Sequence, residues 1–521
     1  MTSNYITTPI FYVNDVPHIG HAYSETAADV LARWSRQRGI PTRLVAGTDE
    51  HGEKILRSAV ANGVTPKEWV DRLVENDWKP LLRTLDISAD DFIRTTDERH
   101  KEAVRAFLVQ LHDDGHIYES EYKGHYCIGC EEYKLPGEYE VVDGVALCLI
   151  HGRPLEYLTE TNYFFRMSAF ADQLLERYTS DPRTLQPDSV RHEILAFLSS
   201  GVRDISITRS SFDWGVEVPW DPAHVVYVWF DALINYISNI GWNADPAEFE
   251  QWWPATHIVG KDIARLHSVL WPSMLLAAGL PLPKTIFGHG WLLVNGEKMS
   301  KTKKTGIVAQ DIIELFGTDA FRYYFMRTIR FGQDGSFSWE DIAARYNSDL
   351  ANGIGNLASR IISMIEKYRG GTVQVGSTAS ASAQSWIDRI ESALDAADAA
   401  IDKFQISEAV AAAWTLVDGL NQYISEVKPW TIAADPERGD ELDAVLRELL
   451  WVLATIALLL YPVMPSSMEA LWSRLGLAER FGAVAGVVPR EFVGSADLGA
   501  VRVTAGVPLF PRVELPERDD R

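Results

Sequence analysis

The segment that decides the fold is residues 5–46, YITTPIFYVNDVPHIGHAYSETAADVLARWSRQRGIPTRLVA. Tyr5 to Phe11 is rich in residues that favour β-strands. Ala22 to Arg38 is predicted to be a helix, because its apolar residues recur at spacings of three and four. A glycine and a proline end that helix, and Thr42 to Ala46 is the next predicted strand. This order of strand, loop, helix and strand is typical of a doubly wound α/β domain with a parallel sheet of Rossmann type.

The loop between the first strand and the helix contains Pro17-His18-Ile19-Gly20-His21. A helix N-terminus attracts anions through its free backbone N–H groups and its dipole. Gly20 allows close approach of the backbone to a ligand, and His18 and His21 can both stabilise charge that develops on a phosphate. Two histidines in this position can contribute electrostatic catalysis. Histidines at a helix start also occur as simple capping or surface residues, so this loop alone leaves both interpretations open.

The composition is that of a folded protein with several domains. The 521 residues are 46% hydrophobic and 23% charged, and roughly 150 residues per domain gives about three or four domains. The formal charge of −23 argues against a polyanionic partner, because proteins that bind nucleic acid usually have a basic surface. The net charge is an average over faces that differ, so a local basic surface is compatible with it.

We expect a cytoplasmic protein without membrane contact. The N-terminus has no basic region followed by an apolar stretch, so no signal peptide is predicted. The most apolar run, Leu449 to Tyr461, has thirteen residues, whereas a membrane-spanning helix needs about 20. A buried core helix is the better interpretation of this run.

Further along the chain the pattern of elements changes twice. Residues 118–219 are predicted to be an insertion of short strands and turns, after which Val225 to Trp229 is the next predicted strand. Two further strands are predicted at Ile258 to Gly260 and at Ile286 to Phe287. After Asp341 the chain is predicted to be helical to about Arg480.

Within that helical region, Ile387 to Ala411 and Glu441 to Leu460 have the apolar spacing of helices. Gly371 to Ala383 is a loop of small residues. The last 41 residues, from Phe481, are rich in glycine, valine and proline, and we expect them to pack as an extended tail.

All three cysteines of the chain fall into a pattern of metal ligands. Cys127 and Cys130 form one pair, and Cys148 and His151 form a second pair with the same spacing. Three thiolates and one imidazole suit tetrahedral Zn²⁺, and a site with four protein ligands is structural rather than catalytic. We therefore predict one structural zinc ion that clamps the insertion. The alternative is that three core cysteines fall into this spacing by coincidence.

A basic loop follows the predicted strands. Asn295 to Gly306, NGEKMSKTKKTG, contains four lysines and one glutamate, a local charge of +3. Lysines on a loop bounded by glycine suit the β- and γ-phosphates of a nucleotide. A lysine run on its own is more often a solvated surface.

Together, the His-Ile-Gly-His and Lys-Met-Ser-Lys segments resemble the two signature motifs of the class I aminoacyl-tRNA synthetases in order and in spacing. Thr302 stands where that family usually has serine, which keeps a hydroxyl group. Other segments are similar to those of the methionyl-tRNA synthetases, and the resemblance covers about residues 4 to 475. These segments are Ala46–Gly52, Tyr227–Leu233, Gly260–Ile263, Phe287–Trp291, Lys428–Trp430 and Asn352–Arg360.

The resemblance implies a pocket for methionine. A thioether requires apolar and aromatic walls, and a carboxylate is the expected anchor for the substrate ammonium. We expect Asp49 to be this anchor, and Tyr12 and His267 to supply hydrogen bonds near the sulfur. Leu233 and Leu266 stand where some relatives have proline and phenylalanine. The methionine-binding residues carried over are Ile10, Tyr12, Asp49, Trp229, Ala232, Leu233, Tyr236, Leu266 and His267.

The resemblance also implies ATP, with Mg²⁺, as the second substrate of a two-step reaction. Methionine is activated to methionyl-adenylate and is then transferred to the 3'-terminal ribose of tRNA(Met). His18, His21, Lys298 and Lys301 would be catalytic. The ATP-binding residues implied are Gly20, Gly260, Asp262, Gly290, Trp291, Val294, Lys298 and Lys301.

A further set of residues is implied to bind the anticodon. Asn352, Asn356 and Arg360 lie four residues apart, so they are predicted to share one helix face that bonds base edges. Trp430 follows a proline in a helical region, where it can stack on an unpaired base. Without the resemblance, a polar helix surface would be the better interpretation.

The resemblance divides the chain into six segments. These are 1–117 and 225–294 for the two halves of the catalytic domain, 118–224 for the connective insertion with the zinc knuckle, 295–345 for the lysine loop and stem-contact region, 346–480 for the anticodon-binding bundle and 481–521 for the tail. Because Arg521 comes soon after the helical bundle, we expect a monomer.

Two other functions fit part of the sequence. A different class I synthetase, for cysteine or leucine, would share the two signature motifs, but no large editing insertion is present and the pocket segments are those of the methionine enzymes. A zinc-knuckle RNA-binding protein without catalysis would share the cysteines, but it would need neither the histidine pair nor the lysine loop.

Overall fold

The structure is a computed structural model that describes residues 3–130, 132–134, 136–150, 152–294, 297–298, 308–376, 381–495 and 498–515. The predicted opening of strand, loop, helix and strand is confirmed, except that the β-rich stretch from Tyr5 to Phe11 holds two short strands rather than one. The first helix begins at Ile19, three residues before the predicted start, because His18 caps it. The first 113 residues form the strands β1 (Asn4–Thr7), β2 (Phe11–Tyr12), β3 (Thr42–Asp49) and β4 (Asp91–Arg94), the helices α1 (Ile19–Gln37), α2 (Glu53–Ala61), α3 (Pro66–Leu73), α4 (Lys79–Thr84) and α5 (Glu98–Asp113), and a π-helix at Val74–Trp78.

The predicted insertion is a set of short antiparallel strands. Its long strands β5 and β9 pair with each other, and β6 and β11 flank them. One short strand, β10, leaves this set and joins the main sheet. The elements are β5 (Ile117–Cys127), β6 (Glu132–Lys134), β7 (Tyr139–Val142), β8 (Val145–Cys148), β9 (Glu156–Phe165), α6 (Ala171–Ser180), β10 (Leu185–Gln186), α7 (Asp188–Ser199), β11 (Ile205–Ser206), β12 (Thr208–Arg209), β13 (Glu217–Val218) and β14 (Asp221–Val226), with 3-10 helices at Met167–Phe170 and Pro182–Thr184.

The second half of the α/β domain confirms two predicted strands and corrects one. The strand predicted at Val225 to Trp229 is wrong beyond Val226, because the chain turns into a helix at Val228. A short run of valines and aromatic residues fits a buried helix as well as a buried strand. The elements are α8 (Val228–Leu233), α9 (Asn235–Ser238), α10 (Pro246–Trp252), β15 (Thr256–Gly260), α11 (Trp271–Ala277), β16 (Thr285–His289), β17 (Leu292–Val294) and β18 (Glu297–Lys298), with a π-helix at Leu266–Leu270.

The remaining chain is largely helical, as predicted. These elements are α12 (Ala309–Phe316), α13 (Thr318–Thr328), β19 (Gly335–Phe337), α14 (Trp339–Arg345), α15 (Asn356–Arg369), β20 (Thr372–Val375), α16 (Ala381–Ile401), α17 (Ile406–Val427), α18 (Pro429–Ile432), α19 (Gly439–Leu460), α20 (Pro465–Arg474), α21 (Ala478–Phe481), α22 (Pro489–Gly494) and β21 (Gly499–Arg502), with a π-helix at Tyr346–Gly355 and 3-10 helices at Pro436–Arg438 and Val484–Gly486.

Two details of that region differ from the prediction. The single helical segment predicted over Ile387 to Ala411 is divided between α16 and α17, because Phe404 has a φ of 58°, which a helix does not accommodate. The loop predicted from Gly371 contains the strand β20. This strand pairs with β21, so the tail is tied to the helical bundle by backbone hydrogen bonds.

The main sheet explains where a ligand can bind. Among the described residues it has seven strands in the order β10-β16-β15-β1-β3-β2, with β4 also paired to β3, and all pairs are parallel. The chain moves from β1 through α1 to β3 on one side, whereas β15 lies on the other side of β1. In such sheets the crevice for a ligand lies at the carboxyl ends of the strands where the order reverses, which here is between β1 and β15.

The helix α1 is fixed between the sheet and the helical bundle. Its buried residues belong to one hydrophobic core with α13, α15, α17 and α19. Asp29 of α1 accepts hydrogen bonds from Arg33 at 2.8 Å and from Arg322 at 2.6 Å, and Arg322 also donates to the backbone carbonyls of Pro462 and Val463. The apolar run that ends at Tyr461 is the buried second half of α19, as predicted. None of the described helices is long and apolar enough to cross a membrane.

Candidate active site

A cavity of about 370 Å³ lies at the carboxyl edge of the sheet, at the point where the strand order reverses. Its walls come from the segments after β1, β3, β15 and β16, from the N-terminus of α1 and from α8. The structure brings most of the predicted ligand-binding residues together here. The predicted residues that line it are Ile10, Tyr12, His18, Gly20, His21, Asp49, Trp229, Gly260, Asp262, Gly290 and Trp291.

His18 and His21 are held by the backbone at the start of α1. His18 is the N-cap residue, and its Nδ1 accepts the Gly20 N–H at 3.1 Å. The His21 Nδ1 accepts the His18 N–H, also at 3.1 Å. Because Nδ1 of each ring is an acceptor, the proton of each neutral ring lies on Nε2. Each ring therefore has one N–H donor that the helix cap does not use.

Aromatic rings surround the second histidine. The rings of His18 and His21 stack with centroids 3.8 Å apart. Phe11 and Trp78 contact the His21 ring from the strand β2 and from the π-helix, at centroid distances of 4.6 and 4.9 Å. Trp78 is 57 positions away in the sequence, so no local pattern predicted this contact.

This surrounding lowers the pKa of both imidazoles. His18 is exposed at the mouth of the cavity and His21 is half-buried, but the walls remove much of the water around each ring. Desolvation is the main cause that lowers the pKa of His18 from 6.5, with Asp262 opposing it. Desolvation, and secondarily the neighbouring His18, lowers the pKa of His21 well below 6.5. Both rings are therefore neutral near pH 7 and act as hydrogen-bond donors rather than as cations.

One pair at the back of the cavity was not predicted. Ser24 lies on α1 one turn after Gly20, and its hydroxyl is 2.7 Å from Nε2 of His289 at the end of β16. The other ring nitrogen of His289 donates to the Gly290 carbonyl at 2.9 Å. Both residues line the cavity and join the start of α1 to the far strand. The sequence did contain one indication of this pair, because His289 closely follows a predicted strand, where ligand-binding residues of parallel sheets are found.

The glycines of the predicted ATP site lie where the backbone is crowded. A Cβ atom at Gly290 would lie 2.2 Å from the backbone of Gln333. Next to it, the Trp291 N–H donates to Asp334 at 2.8 Å, and Lys261 pairs with Asp334 at 2.7 Å while lying 4.0 Å from the Trp291 ring centroid. Segment 333–335 therefore packs against Gly290 and holds Trp291 in place through Asp334.

On the opposite side, the segment after β3 carries the predicted ammonium anchor. Asp49 is buried, with 3% of its surface exposed, and lines the cavity. The next residue, Glu50, is bound by Arg94 through two hydrogen bonds of 2.6 and 2.9 Å and accepts further hydrogen bonds from Thr48 and Thr96. These contacts hold the backbone on which Asp49 stands.

Five predicted methionine-binding residues lie behind the cavity wall rather than along it. Leu233 and Tyr236 belong to the hydrophobic cluster against which Ile10, Tyr12, Trp229 and Leu266 pack. These five residues are Ala232, Leu233, Tyr236, Leu266 and His267.

The predicted hydrogen bond from His267 to the substrate sulfur has no free donor in this structure. The His267 Nδ1 donates to the Ile263 carbonyl at 3.0 Å, and its Nε2 accepts the Tyr236 hydroxyl at 2.7 Å. Burial lowers the pKa of His267 to about 4, so the ring is neutral at pH 7. Tyr12 lines the cavity, and the roles of both residues near the sulfur stay predictions.

The three cysteines of the insertion meet at one point. The Sγ atoms of Cys127, Cys130 and Cys148 all lie within 4.8 Å of one another, and those of Cys130 and Cys148 are 3.7 Å apart. Tetrahedral Zn²⁺ with Zn–S bonds of about 2.3 Å separates its sulfur ligands by about 3.8 Å. The three thiols therefore fit a metal ion. His151, the predicted fourth ligand, lies outside the described residues.

Several predicted residues of the lysine loop also lie outside the described part of the chain. Lys301 is among them, and the side chains of Val294 and Lys298 are too. The backbone of Lys298 is described, and it pairs with Leu293 in the hairpin of β17 and β18 that leads away from Trp291.

The predicted anticodon-binding residues lie on the surface of the helical bundle. Asn352 precedes a break at Gly353, whose ψ is −106°, whereas Asn356 and Arg360 both lie on α15. Asn352 accepts hydrogen bonds from Arg512 of the tail, and Arg360 donates to Asn421 at 3.3 Å. The three residues therefore do not share one continuous helix.

Trp430 lies at the start of α18 and has 48% of its surface exposed. Lys428, two residues earlier, has a φ of 51°, and this turn brings the tryptophan out of the bundle. An exposed tryptophan of this kind is available for stacking.

Comparisons with known proteins agree with this geometry. Residues 4–145 and 137–362 match the family described as tRNA synthetases class I (M), and residues 383–492 match the anticodon-binding domain of tRNA ligase. The chain is 49% identical to the methionine–tRNA ligase of Streptomyces coelicolor over 98% of this chain and 96% of that protein.

Solved structures of a relative are also similar. The methionyl-tRNA synthetase of Mycobacterium tuberculosis in complex with methionyl-adenylate is 37% identical, with a TM-score of 0.92, and the match covers 98% of this chain and 100% of that chain. The free form of the Mycobacterium tuberculosis enzyme is 35% identical, with a TM-score of 0.86 and coverage of 99% of both chains.

Proposed function

Because the chain belongs to the methionyl-tRNA synthetases of class I, we propose that it activates L-methionine with ATP in the cavity described above and transfers the product to tRNA(Met). The observation that carries this proposal is the convergence of the stacked histidine pair, the buried Asp49 and the Trp229 ring on one cavity. A positive helix N-terminus, a carboxylate and an aromatic wall suit a phosphate, an ammonium group and a thioether respectively.

In the first step, a carboxylate oxygen of methionine attacks the α-phosphorus of ATP. A new phosphorus–oxygen bond forms, the bond to the bridging oxygen breaks, and pyrophosphate leaves with the bonding pair. Negative charge on the α-phosphoryl oxygens must be stabilised in the transition state. His18 and His21 supply Nε2–H donors at the N-terminus of α1, where the helix dipole adds to their effect.

The cavity holds the two substrates on opposite sides. Asp49 would accept the methionine ammonium, with Ile10, Tyr12 and Trp229 against the side chain. Gly260, Asp262, Gly290 and Trp291 would line the adenosine side, where Lys261 and Asp334 fix the tryptophan ring. Because the protein supplies little covalent chemistry, positioning and charge stabilisation account for most of the rate.

The leaving pyrophosphate needs cations. Lys298 and Lys301 are the lysines of the signature motif, and we propose that they hold the β- and γ-phosphates. Mg²⁺ would enter on the ATP phosphates and supply further positive charge to them.

The second step transfers methionine to the tRNA. The 3'-terminal ribose hydroxyl of tRNA(Met) attacks the carbonyl carbon of the adenylate, and AMP leaves. The anticodon would be contacted from the surface of the helical bundle by Trp430, Asn352, Asn356 and Arg360.

The insertion would bind one structural Zn²⁺ through Cys127, Cys130, Cys148 and His151. We place this activity in the cytoplasm with the other reactions of translation, and the monomeric state stays a prediction.

The test of this function is ATP–pyrophosphate exchange with each of the twenty amino acids. We expect exchange with methionine at least about a hundred-fold faster than with cysteine or leucine. Faster exchange with another amino acid would support a different class I synthetase. An RNA-binding protein without catalysis would show no exchange with any of them.

A further inference from the structure

A carboxylate that the proposed reaction does not use lies buried beside the cavity. Asp231 has no exposed surface, and both of its oxygens accept a hydrogen bond from a histidine. The His51 Nδ1 is 2.6 Å from one oxygen, and the His100 Nε2 is 2.8 Å from the other. The two histidines hold the pKa of Asp231 low, at about 2, against the opposing effect of burial. Asp231 is therefore ionised, and both rings donate to it.

The three residues join three distant segments of the chain. His51 follows β3, His100 lies in the first turn of α5, and Asp231 lies on α8. The second nitrogen of His100 is 3.0 Å from the Ser238 hydroxyl on α9. The Trp214 ring packs edge-on against His51 at a centroid distance of 5.4 Å. The histidine–aspartate–histidine group is therefore fixed at both ends.

This group joins the two chain segments that carry opposite sides of the proposed methionine site. Asp49 is two residues before His51, and Trp229 is two residues before Asp231. Both Asp49 and Trp229 line the cavity. Further contacts of the segment after β3 include the ion pair of Glu50 with Arg94 of β4 and the Trp214 Nε1, which donates to the Glu50 carbonyl at 2.7 Å. The hydrogen bond between His51 and Asp231 joins this segment to α8.

We propose that Asp231 is a positioning residue that sets the spacing between the ammonium anchor Asp49 and the Trp229 wall of the methionine site. Through His51 it holds the anchor, and through its own helix it holds the tryptophan. His100 completes the hydrogen bonding of the buried charge and keeps α8 in register with α5. The proposal rests on the proposed function, because the anchor and the wall matter only if methionine binds between them.

The test is steady-state pyrophosphate exchange by the full-length protein with Asp231→Asn. An asparagine side chain fills the same space but removes the charge, so both hydrogen bonds weaken. We expect the KM for methionine to rise about ten-fold, since a hydrogen bond to a charged group typically contributes that much to an equilibrium, and the KM for ATP to change by less than about two-fold. The preference for methionine over ethionine, which has one more methylene, should also fall, because the pocket is no longer held at one width.

A second pair of variants separates positioning from folding. The amide nitrogen of asparagine lies as many bonds from Cβ as Nδ1 of histidine, so His51→Asn keeps a donor to Asp231 whereas His51→Leu removes it. We expect His51→Asn to keep a methionine KM within about three-fold of wild type and His51→Leu to resemble Asp231→Asn. This pair also remains informative if Asp231→Asn does not fold.

The matched control is Glu448→Gln. Glu448 is another buried carboxylate, 1% exposed, that accepts hydrogen bonds from Ser382 at 2.8 Å and Tyr423 at 2.6 Å in the helical bundle. The Glu448→Gln variant should have a lower melting temperature than the wild-type protein, with an unchanged KM for methionine and for ATP.

The proposal is overturned if Asp231→Asn and His51→Leu lower the melting temperature but keep the wild-type KM for methionine and the wild-type preference for methionine over ethionine. Absence of methionine-dependent exchange in the wild-type protein would instead contradict the proposed function itself.

Discussion

The imidazole rings of His18 and His21 stack at 3.8 Å, and each ring accepts a backbone N–H of the same helix turn through Nδ1. One arrangement therefore both caps α1 and directs the proton of each ring to Nε2. Protonation of Nδ1 would break the cap, which agrees with the lowered pKa of both residues. The pair is thus built to donate hydrogen bonds while neutral.

The first prediction concerns pH. Because the pKa of each histidine is lowered from 6.5, both rings stay neutral above that pH and gain a proton only below it. The kcat of pyrophosphate exchange should therefore be flat from about pH 7 to about pH 8.5 and should fall only as the pH drops below 6.5. Stability of the α1 cap is lost in the same direction, because the protonated Nδ1 cannot accept. A rate that rises as the pH falls through 6.5 would contradict neutral donors.

The second prediction concerns Trp78. Its ring holds the His21 imidazole at 4.9 Å from the π-helix, and an aromatic contact is worth about 0.5–1.5 kcal/mol. Trp78→Leu should lower the kcat of exchange by up to about ten-fold with little change in either KM. Trp69→Leu is the control, because Trp69 lies in the same small hydrophobic cluster but packs against Arg72. If both variants lose activity equally, the contact with His21 has no specific role.

The third prediction concerns the metal. Elemental analysis of the wild-type protein should find about one zinc ion per chain, and Cys148→Ser should abolish this zinc because one of the three clustered thiols is lost. Proteolytic cleavage between Tyr118 and Arg153 should become faster in the variant than in the wild-type protein. The rate of methionine-dependent exchange should change less than the cleavage rate does, because the proposed active site does not include the cysteines. Unchanged zinc content in the variant would contradict the assignment of the cluster.

The fourth prediction concerns Trp430. Its ring is 48% exposed on the bundle surface and is proposed to stack on a base of the anticodon. Trp430→Ala should lower kcat/KM for tRNA charging by about ten-fold or more, because stacking contributes about 1–3 kcal/mol per base, and should leave pyrophosphate exchange unchanged. An equal loss in both assays would indicate a structural role in the bundle.

The sequence predicted the features that depend on local patterns. The helix α1 and its end, the strands at Ile258 and Ile286 and the buried end of α19 follow from apolar spacing and from residues that end helices. The cysteine pairs predicted a metal cluster, since ligands two residues apart meet on one turn. Each of these predictions depends on residues that are close together in the sequence.

What the sequence did not predict depends on contacts between distant segments. Val228 begins a helix rather than continuing a strand, and only the packing of α8 against the sheet decides this. The contact of Trp78 with His21 and that of Ser24 with His289 join residues far apart in the chain. Family resemblance implied that Tyr236 and His267 belong to the methionine pocket, and this stays a prediction, but their mutual hydrogen bond could not be read from the sequence.

The decisive measurement is the kcat of methionine-dependent exchange for His18→Asn and His21→Asn. Asparagine can still accept the backbone N–H that each Nδ1 accepts, so the cap of α1 is kept while the Nε2–H donor is removed. We predict that each variant lowers kcat by about a hundred-fold or more, with the KM for methionine and for ATP within about three-fold of wild type. A wild-type kcat in both variants would contradict the role of the stacked histidines at the N-terminus of α1 as donors to the transition state.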